Sequence, residues 1–439
     1  MNASGRRDVP GAAGGIGSPG GVVGARRSAT GGKGFAISVD SSRPTDSALG
    51  PAAAPSGRGA AESAPPARRQ LAGLDGLRGL AALYVVLFHC WLYTFPGYPH
   101  SSAPRWLDGL MFGRLAVVFF LVLSGFSLAI SPARHGWHTG GVGRFLRRRA
   151  WRILPPYWAA LILSLLVSWF VVPASHFGPP TGETVLVYGL VAQDVVTAPT
   201  PNGAFWSIGV ESELYLLFPL LLFVRRRWGA ALLAACVTIP VVAHGLTVPG
   251  ASPVEGDNWL APDLAPVFAA GVVGAGIISG SDRVRRLPWG WLAVLAALPV
   301  LAVGAVRGAA WTVNHYFWID LAVAPAMTML LAAVATGQPA FLVQLLTARP
   351  VRALGDFSYS LYLIHLPIVL TVIRRVAPHY VAHGLPTFCF TLAVGLPFAT
   401  AGAWLFSKVF EIPFKQNRSW KSAVGGLTGI SPRTSSQRG

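Results

Sequence analysis

Apolar stretches of about twenty residues recur along the chain from residue 74 onward, separated by glycine, proline and charged residues. At about 1.5 Å of rise per residue, a helix of this length crosses the roughly 30 Å hydrocarbon core of a bilayer. We therefore predict an all-α polytopic integral membrane protein with about ten transmembrane helices in one bundle. The predicted spans lie near residues 74–95, 112–131, 153–172, 208–224, 229–248, 262–279, 288–306, 317–336, 357–374 and 387–407.

The segments outside these spans differ in character. Residues 1–70 are rich in Gly, Ala, Pro and Ser, so they cannot bury enough apolar surface to offset the entropy of ordering. We expect a disordered N-terminal tail there, without a signal peptide, followed by a membrane domain over residues 71–414 and a polar C-terminal tail over residues 415–439. The apolar run 184–196 is short and contains Gln193 and Asp194, which favours an interfacial or re-entrant helix.

Composition and charge agree with a membrane protein. Hydrophobic residues make up 53% of the chain and charged residues only 12%, about half the fraction usual in soluble domains. A net charge of +18 is typical of nucleic-acid-binding proteins, but here the arginines lie in short loops between apolar spans, so we expect no nucleic-acid partner. Their distribution predicts that both termini are cytoplasmic, in agreement with an even number of spans. Only the pair Arg374 and Arg375 fits this orientation poorly.

The first span carries two polar residues on one face. Arg78 and His89 are eleven positions apart, which amounts to about 20° beyond three helical turns and roughly 16 Å of rise. Ionisable groups at membrane depth are costly and often functional. The alternative is that Arg78 extends to the membrane surface while His89 is a hydrogen-bonded core histidine.

Two arginines just before the third predicted span form a second candidate site. Arg149 and Arg152 are three positions apart, so on a helix they point the same way and are suited to bind phosphate. Ordinary anchoring of the helix at the membrane surface is the alternative, and it is the preferred interpretation for the neighbouring arginines, Arg144, Arg147 and Arg148.

Two further spans contain clustered polar side chains. Glu211 and Tyr215 share a helix face beside Trp206 and Ser207, whereas Glu213 lies about 200° away, where a charge at the start of a helix is tolerated. In a later span, a serine, a tyrosine and a histidine share one face. Hydrogen bonds between packed helices are an equally good explanation for this second set, which comprises Ser358, Tyr362 and His365.

Taken together and in this order, these segments resemble the membrane acyltransferase family 3 over residues 71–414. The resemblance is carried by residues 74–89, 119–126, 149–157, 206–219 and 358–367, and by the closing Glu411-Ile412-Pro413-Phe414. One departure lies in the flank of the fourth segment, where Leu214 stands at a position more often aromatic. The resemblance implies a ten-helix bacterial enzyme that transfers an acyl group, often from acyl-CoA, to a hydroxyl of a carbohydrate or glycosylated acceptor. It also implies functional roles for Arg78, His89, Arg149, Arg152 and Glu211.

The residue types suit this chemistry. Histidine is the side chain best able to take a proton from an alcohol near neutral pH, so His89 is the candidate general base, with Glu211 as a second catalytic candidate. Arg149, Arg152 and Arg78 would bind the phosphates of acyl-CoA, a co-substrate. Stabilisation of an oxyanion by Arg78 is less favoured because its helical rise from His89 is large. We predict neither a metal nor a permanently bound cofactor. A covalent acyl-enzyme on Ser124, Ser360 or Cys90 has no support from the sequence.

Two other functions remain open at this stage. A transporter or flippase would use His89 and Glu211 as a proton relay, although no second copy of the Arg-to-His motif indicates an internal repeat. The second possible function is an acyltransferase module that passes acyl groups across the membrane to a glycan outside the cell. The short polar C-terminal tail favours a compact enzyme of the bacterial cytoplasmic membrane that acts on a small glycosylated metabolite. The sequence determines neither the acceptor nor the oligomeric state.

Overall fold

Helices make up most of the chain that the computed structural model describes, which comprises residues 66–173, 178–247 and 263–416. No β-strand occurs within these ranges, which confirms the predicted all-α class. The described residues all belong to one unit, Glu62–Gly439. The predicted tails, residues 1–70 and 415–439, lie almost entirely outside the described residues, so their disorder stays a prediction.

Sixteen α-helices follow one another in the described part of the chain. In order they are α1 (Pro66–Thr94), α2 (Gly113–Arg134), α3 (Val142–Phe170), α4 (Gly182–Gly189), α5 (Trp206–Thr247), α6 (Leu264–Ile278), α7 (Asp282–Arg285), α8 (Trp289–Arg307), α9 (Ala309–Asn314), α10 (Tyr316–Ala335), α11 (Ala340–Thr347), α12 (Arg349–Asp356), α13 (Ser358–Thr371), α14 (Leu385–Phe390), α15 (Leu396–Phe406) and α16 (Ile412–Gln416). A 3₁₀-helix, Arg105–Phe112, precedes α2, and π-helical turns follow α13, α14 and α15 at Val372–Val376, Thr391–Gly395 and Ser407–Glu411.

Eight helical segments within the described ranges are long and apolar enough to cross a membrane. One of them is the 42-residue α5, whose helical geometry is interrupted at Gly229 (φ 93°), where the two predicted spans 208–224 and 229–248 meet. Helix α6 is apolar but has only 15 residues. The structure thus agrees with a multi-pass membrane protein, whereas the number of ten crossings is not confirmed.

Large apolar side chains cover the outward faces of several helices. Leu216, Leu220 and Phe223 of α5 are 67%, 55% and 55% exposed and lie at helical spacing on one face. On α8, Trp291 and Leu295 are also more than half exposed. Contiguous apolar surface of this kind is unusual for a protein in water and is expected where lipid tails surround the helices.

Close backbone contacts pack α1 against the short helices α11 and α12. A Cβ atom on Gly79 would lie 2.6 Å from the backbone nitrogen of Gly355, and one on Gly355 would lie 2.2 Å from the carbonyl oxygen of Asp75. Only glycine allows this approach at both positions. We call this end of the bundle, where Arg78 lies, the Arg78 end. We call the opposite end, where α1 ends and Tyr98 follows it, the Tyr98 end.

Helices α2 and α6 form the second close pair. A Cβ on Gly125 would lie 2.2 Å from the carbonyl oxygen of Phe268, and one on Gly271 would lie 2.0 Å from that of Val122. Small residues at a helix interface allow backbones to approach, as is usual inside a membrane. Helix α2 begins at the Tyr98 end, because a Cβ on Gly113 would meet the ring of Phe88, close to His89 on α1.

The predicted re-entrant segment contains a short helix. Helix α4 has eight residues and begins with a capping box, in which Thr181 and Thr184 hydrogen-bond reciprocally. The two polar residues that follow, Gln193 and Asp194, are buried, and the side-chain amide of Gln193 donates to the carbonyl oxygen of Phe205 at 2.9 Å. They therefore contact the segment that leads into α5. The position of α4 relative to a membrane stays a prediction.

Candidate active site

A cavity of about 220 Å³ opens between α1, α2, α3, α5 and α13. Eight residues that the sequence singled out line it: Arg78, Arg149, Arg152, Ser207, Glu211, Tyr215, Ser358 and Tyr362. They come from four helices, so the structure brings together polar groups that are far apart in the sequence. Ser124, Tyr359 and Glu411 also line the cavity.

The arginines make the cavity attractive for an anion. Arg78 pairs with Asp75 at 2.6 Å, whereas neither Arg149 nor Arg152 has a carboxylate within 4.0 Å among the described residues. The Arg149 guanidinium lies 5.7 Å from the Phe145 ring, and its buried Nε has no hydrogen-bond partner in the described part of the chain. Arg149 is half-buried, and a cation that is withdrawn from water is normally paired, so this arrangement favours a negatively charged ligand.

A carboxylate and two hydroxyls form a polar cluster on the cavity wall. The Ser124 hydroxyl donates to Glu211 Oε1 at 3.0 Å, and the hydroxyl of Tyr215 donates to the same oxygen. Ser124 and Tyr215 are themselves 3.1 Å apart. Because Glu211 and Tyr215 are four positions apart on α5, the helix places them on one face, as predicted.

A second carboxylate, that of Glu411, connects the end of the membrane region to α13 through hydrogen bonds. Glu411 Oε2 accepts hydrogen bonds from the hydroxyl of Ser360 at 2.5 Å and from its backbone N–H at 3.2 Å. Both residues are buried. The contact holds Glu411 at the cavity wall and fixes the start of α13, which also carries Ser358 and Tyr362.

Tyr362 lies between the cavity and the histidines. Its hydroxyl donates to the carbonyl oxygen of Ala204 at 2.8 Å and lies 2.6 Å from the hydroxyl of Ser207. Its ring packs against Phe120, which also lines the cavity, with centroids 5.8 Å apart, and against His365 with centroids 6.0 Å apart. A ligand that extends from the cavity towards the histidines would therefore pass this ring.

The two histidines contact each other behind the cavity. His365 Nε2 lies 3.1 Å from His89 Nδ1, and the rings are 4.9 Å apart. Neither histidine is among the residues that line the cavity, and their exposed fractions are 8% for His89 and 0% for His365. The predicted stripe on α1 thus has Arg78 at the cavity and His89 deeper in the bundle. The catalytic role of His89 stays a prediction.

Trp206 belongs to a separate charged cluster. Arg114 donates to Asp320 at 2.8 Å and to Asp263 at 2.9 Å, and its guanidinium lies 5.4 Å from the Trp206 ring. Arg114 and Asp320 belong to α2 and α10, Asp263 lies just before α6, and Trp206 begins α5. Trp206 is not among the cavity-lining residues, so a direct contact between Trp206 and a ligand in the cavity is not supported.

Sequence reasoning did not assign Glu411 or the Arg114 cluster to a site. The sequence did contain a signal for both. Glu411 is a carboxylate at the end of an apolar span, and Asp320 is a carboxylate inside the span 317–336. The transporter alternative required a proton relay between His89 and Glu211. His89 instead hydrogen-bonds with His365 and Val85. Glu211 hydrogen-bonds with Ser124 and Tyr215, so the two residues share no hydrogen bond in the described ranges.

No group of three His, Cys, Asp or Glu residues within residues 66–173, 178–247 and 263–416 is arranged to hold a metal ion. That the reaction needs no metal or permanently bound cofactor stays a prediction. The cavity residues instead offer hydrogen-bond donors for an anion and carboxylates that accept hydrogen bonds.

Comparisons with known proteins point to one family. Residues 71–430 match the family model described as an acyltransferase domain. The acyltransferase MdmB of Streptomyces mycarofaciens is 28% identical over 326 residues, which is 70% of this chain and 80% of MdmB. The O-acetyltransferase OatA of Staphylococcus aureus is 23% identical over 357 residues, covering 74% of this chain and 54% of OatA.

A third relative is similar over a comparable length. The putative peptidoglycan O-acetyltransferase YrhL of Bacillus subtilis is 26% identical over 330 residues, which is 69% of this chain and 49% of YrhL. The chain therefore spans about half the length of OatA and YrhL. No solved structure matches the chain.

Proposed function

Because the chain belongs to the family of the acyltransferase domain, and is therefore an enzyme that transfers acyl groups, we propose a specific reaction for it. In this proposal the protein is an integral membrane O-acyltransferase. It moves an acetyl or other short-chain acyl group from acyl-CoA to a hydroxyl of a carbohydrate or glycosylated small molecule. The observation that carries the proposal is the cavity lined by Arg78, Arg149 and Arg152.

The arginines fit the phosphates of acyl-CoA. Planar guanidinium groups bind phosphate through paired hydrogen bonds, and Arg149 and Arg152 have no carboxylate at ion-pair distance within the described ranges. In our proposal these two side chains bind the phosphates at the cavity mouth. Arg78, held by Asp75, adds a third positive charge to the wall.

The charge distribution supports an orientation for this site. Loops rich in arginine face the cytoplasm in most membrane proteins, and the arginine-rich start of α3 lies at the Arg78 end. We place the Arg78 end and both termini in the bacterial cytoplasm, where acyl-CoA is available. The Tyr98 end then faces outward. Arg374 and Arg375, which fit this orientation poorly, donate to the carbonyl oxygens of Pro173 and Val171 beyond the end of α3.

His89 acts as the general base in this reaction. Its Nε2 takes the proton of the acceptor hydroxyl while the hydroxyl oxygen attacks the carbonyl carbon of the thioester. The new C–O bond forms, the C–S bond breaks, and CoA leaves as a thiolate that recovers the proton from His89. The pantetheine arm runs from the arginines past Tyr362, because that ring separates the cavity from the histidines.

Glu211 contributes a negative charge on the path of the donor. Its Oε1 already accepts hydrogen bonds from Ser124 and Tyr215, whereas Oε2 accepts none from the described residues. In our proposal, Oε2 accepts a hydrogen bond from an amide of the pantetheine arm or from the acceptor. Ser207 and Ser358 line the same cavity and offer further hydroxyls to the donor.

The names of the relatives suggest the class of acceptor. OatA is an O-acetyltransferase and YrhL is named a putative peptidoglycan O-acetyltransferase, which supports a hydroxyl of a sugar as the group that is modified. MdmB, of which the chain covers 80%, is named only as an acyltransferase. A sugar-bearing acceptor is thus the class to test first.

The deciding experiment measures acyl transfer by the purified full chain in nanodiscs. Radiolabelled acetyl-CoA is incubated with a panel of glycans and glycosylated small molecules, and labelled ester products are separated from acetyl-CoA. We expect an acceptor-dependent product, and a loss of at least about 100-fold in His89→Ala. The matched control is His135→Ala, since His135 is exposed and makes the same bond to the carbonyl four residues earlier. Equal turnover of wild type and His89→Ala rules out the base, and no product with any acceptor contradicts the proposed reaction.

A further inference from the structure

The contact between His89 and His365 assigns a role to His365. We propose that His365 is a positioning residue that accepts a hydrogen bond from His89 Nδ1–H, which leaves the lone pair of His89 on Nε2 and stabilises the charge that His89 gains in the reaction. This inference rests on the proposed role of His89 as general base. It concerns the partner of the base, which the sequence could not identify.

The backbone of α13 determines which nitrogen of His365 carries the proton. His365 Nδ1 lies 3.0 Å from the carbonyl oxygen of Leu361 and 2.8 Å from that of Tyr362. A carbonyl oxygen only accepts hydrogen bonds, so Nδ1 must be the donor. His365 is fully buried and forms no ion pair with a described carboxylate, which favours the neutral ring. Its Nε2 therefore carries a lone pair.

The same reasoning fixes the tautomer of His89. Its Nδ1 lies 2.9 Å from the carbonyl oxygen of Val85 and 3.1 Å from His365 Nε2, and both of these atoms are acceptors. The proton of His89 is therefore on Nδ1, where the two acceptors share it. Nε2, which has no hydrogen-bond partner among the described residues, keeps the lone pair that a general base requires.

Neighbouring rings hold the plane of the His89 imidazole. Tyr93 stacks on it with an interplanar angle of 16° and centroids 6.0 Å apart, and Phe88 meets it at 61° and 5.0 Å. These contacts restrict how the ring can turn, so the direction of Nε2 is fixed together with its protonation. The guanidinium of Arg374 lies 5.9 Å from the centre of the Tyr93 ring.

His365 and Val85 do not contribute equally. The Val85 carbonyl lies within α1, where such an oxygen also accepts a hydrogen bond from the helix backbone. His365 Nε2 has no other partner in the described part of the chain. When His89 becomes an imidazolium, its bond to the His365 lone pair becomes charge-assisted and strengthens. The contribution is therefore larger in the transition state than in the resting enzyme, so it raises kcat.

Two substitutions separate this role from simple packing. The amide of His365→Gln reaches the position of Nε2 and can accept from His89, whereas the amide of His365→Asn reaches the position of Nδ1 and faces only the carbonyls of its own helix. We expect kcat to fall about 10- to 100-fold in His365→Asn with an unchanged KM, and to fall clearly less in His365→Gln. If His365 were only structural, Asn would be the better tolerated residue.

A second measurement reads the tautomer without any reaction. The chain contains 10 histidines, so nitrogen NMR of histidine-labelled protein in nanodiscs assigns His89 by the signal lost in His89→Gln. We expect a protonated Nδ1 and an unprotonated Nε2 in the wild type. His315→Gln is the matched control, because His315 also bonds the carbonyl four residues earlier but lies beside Trp311. The control should leave the His89 signal unchanged.

The outcomes distinguish this inference from the proposed function. A wild-type His89 protonated on Nε2, or an Asn variant at least as active as the Gln variant, overturns the role of His365 while acyl transfer itself stands. If His89→Ala keeps wild-type turnover, both the base and its partner are overturned. If wild type transfers acyl groups only from a donor other than acyl-CoA, the donor assignment fails, and the Asn-to-Gln comparison is made with that donor.

Discussion

The hydroxyls of Tyr362 and Ser207 lie 2.6 Å apart across the interface of α13 and α5. Because the Tyr362 hydroxyl donates to the Ala204 carbonyl, it accepts from Ser207. One residue of the cavity wall therefore ties two helices together. We expect Tyr362→Phe to keep the ring but to lower stability by about 1–2 kcal/mol, since two buried polar groups lose their partner.

This change should lower the midpoint of thermal unfolding in detergent. Tyr380→Phe is the control, because Tyr380 is 73% exposed and stacks on Phe390. An equal midpoint for both variants would show that the contact with Ser207 does not stabilise the bundle.

The arginine pair predicts a selective loss of donor binding. Removing one charge-assisted contact to phosphate, by Arg149→Ala or Arg152→Ala, should weaken CoA binding about 10- to 100-fold. The CoA affinity of Arg149→Lys should lie between those of the alanine variants and of the wild type, because lysine keeps the charge but lacks the planar guanidinium group. Isothermal titration of CoA into protein in nanodiscs measures the affinities.

Arg148→Ala is the matched control for these variants. Arg148 belongs to the same arginine run but is exposed and does not line the cavity. If Arg148→Ala and Arg149→Ala bind CoA equally well, the run only anchors α3 at the membrane surface.

The buried Arg114 cluster predicts a large effect on stability. Arg114→Met leaves Asp320 and Asp263, which are 0% and 2% exposed, without their counter-charge, so it should cost about 3–5 kcal/mol. The double variant Arg114→Met/Asp320→Asn should recover part of the loss, because one of the unpaired charges is removed. Thermal unfolding of the two variants measures the difference.

A surface pair in the same protein supplies the comparison. Arg285→Ala removes the partner of Asp282, which is 80% exposed, and should change stability by no more than about 1 kcal/mol. A similar cost for Arg285→Ala and Arg114→Met would contradict the importance of burial at the Arg114 cluster.

The packing of α1 against α12 predicts that Gly79 tolerates no side chain. A Cβ there would lie 2.6 Å from the backbone nitrogen of Gly355, so Gly79→Ala should push the helices apart, displace Arg78 and lower both stability and CoA affinity. Gly143→Ala, a helical position with open space around it, should be neutral or stabilise α3 by up to about 1 kcal/mol. Comparable unfolding midpoints for the two variants would refute this packing argument.

The orientation of the bundle is tested with reporters. A fluorescent protein fused after Gly439 should fluoresce in the bacterial cytoplasm, and an alkaline phosphatase inserted after Ser101, in the segment between α1 and α2, should be active outside it. The opposite pattern would place the arginines on the outer face and separate them from cytoplasmic acyl-CoA.

Local patterns predicted the helices and the partners within one helix. The apolar spans predicted α1, α2 and α10, and the four-residue spacing placed Glu211 beside Tyr215. The extension of α3 back to Val142 was not predicted, because its arginine-rich start is helical without being apolar. The short helices α11 and α12 were also missed, since they are too short for a membrane span.

Contacts between distant segments could not be predicted from spacing. His89 and His365 are 276 positions apart, and Ser360 and Glu411 are 51 apart, so only the packing of whole helices brings them together. Each side chain had an explanation within its own helix, as a core histidine or a polar residue at a span end. The structure replaces these local explanations with specific partners.

The bond between Ser360 and Glu411 has a consequence for how the enzyme is made. The cavity takes Arg78 from the first helix and Glu411 from the π-helical turn that follows α15. During synthesis, helices enter the membrane from the N-terminus onward, so the wall of the cavity is incomplete until nearly the whole membrane region has been inserted. A chain released early by the ribosome would thus lack Glu411 and would have an incomplete cavity wall.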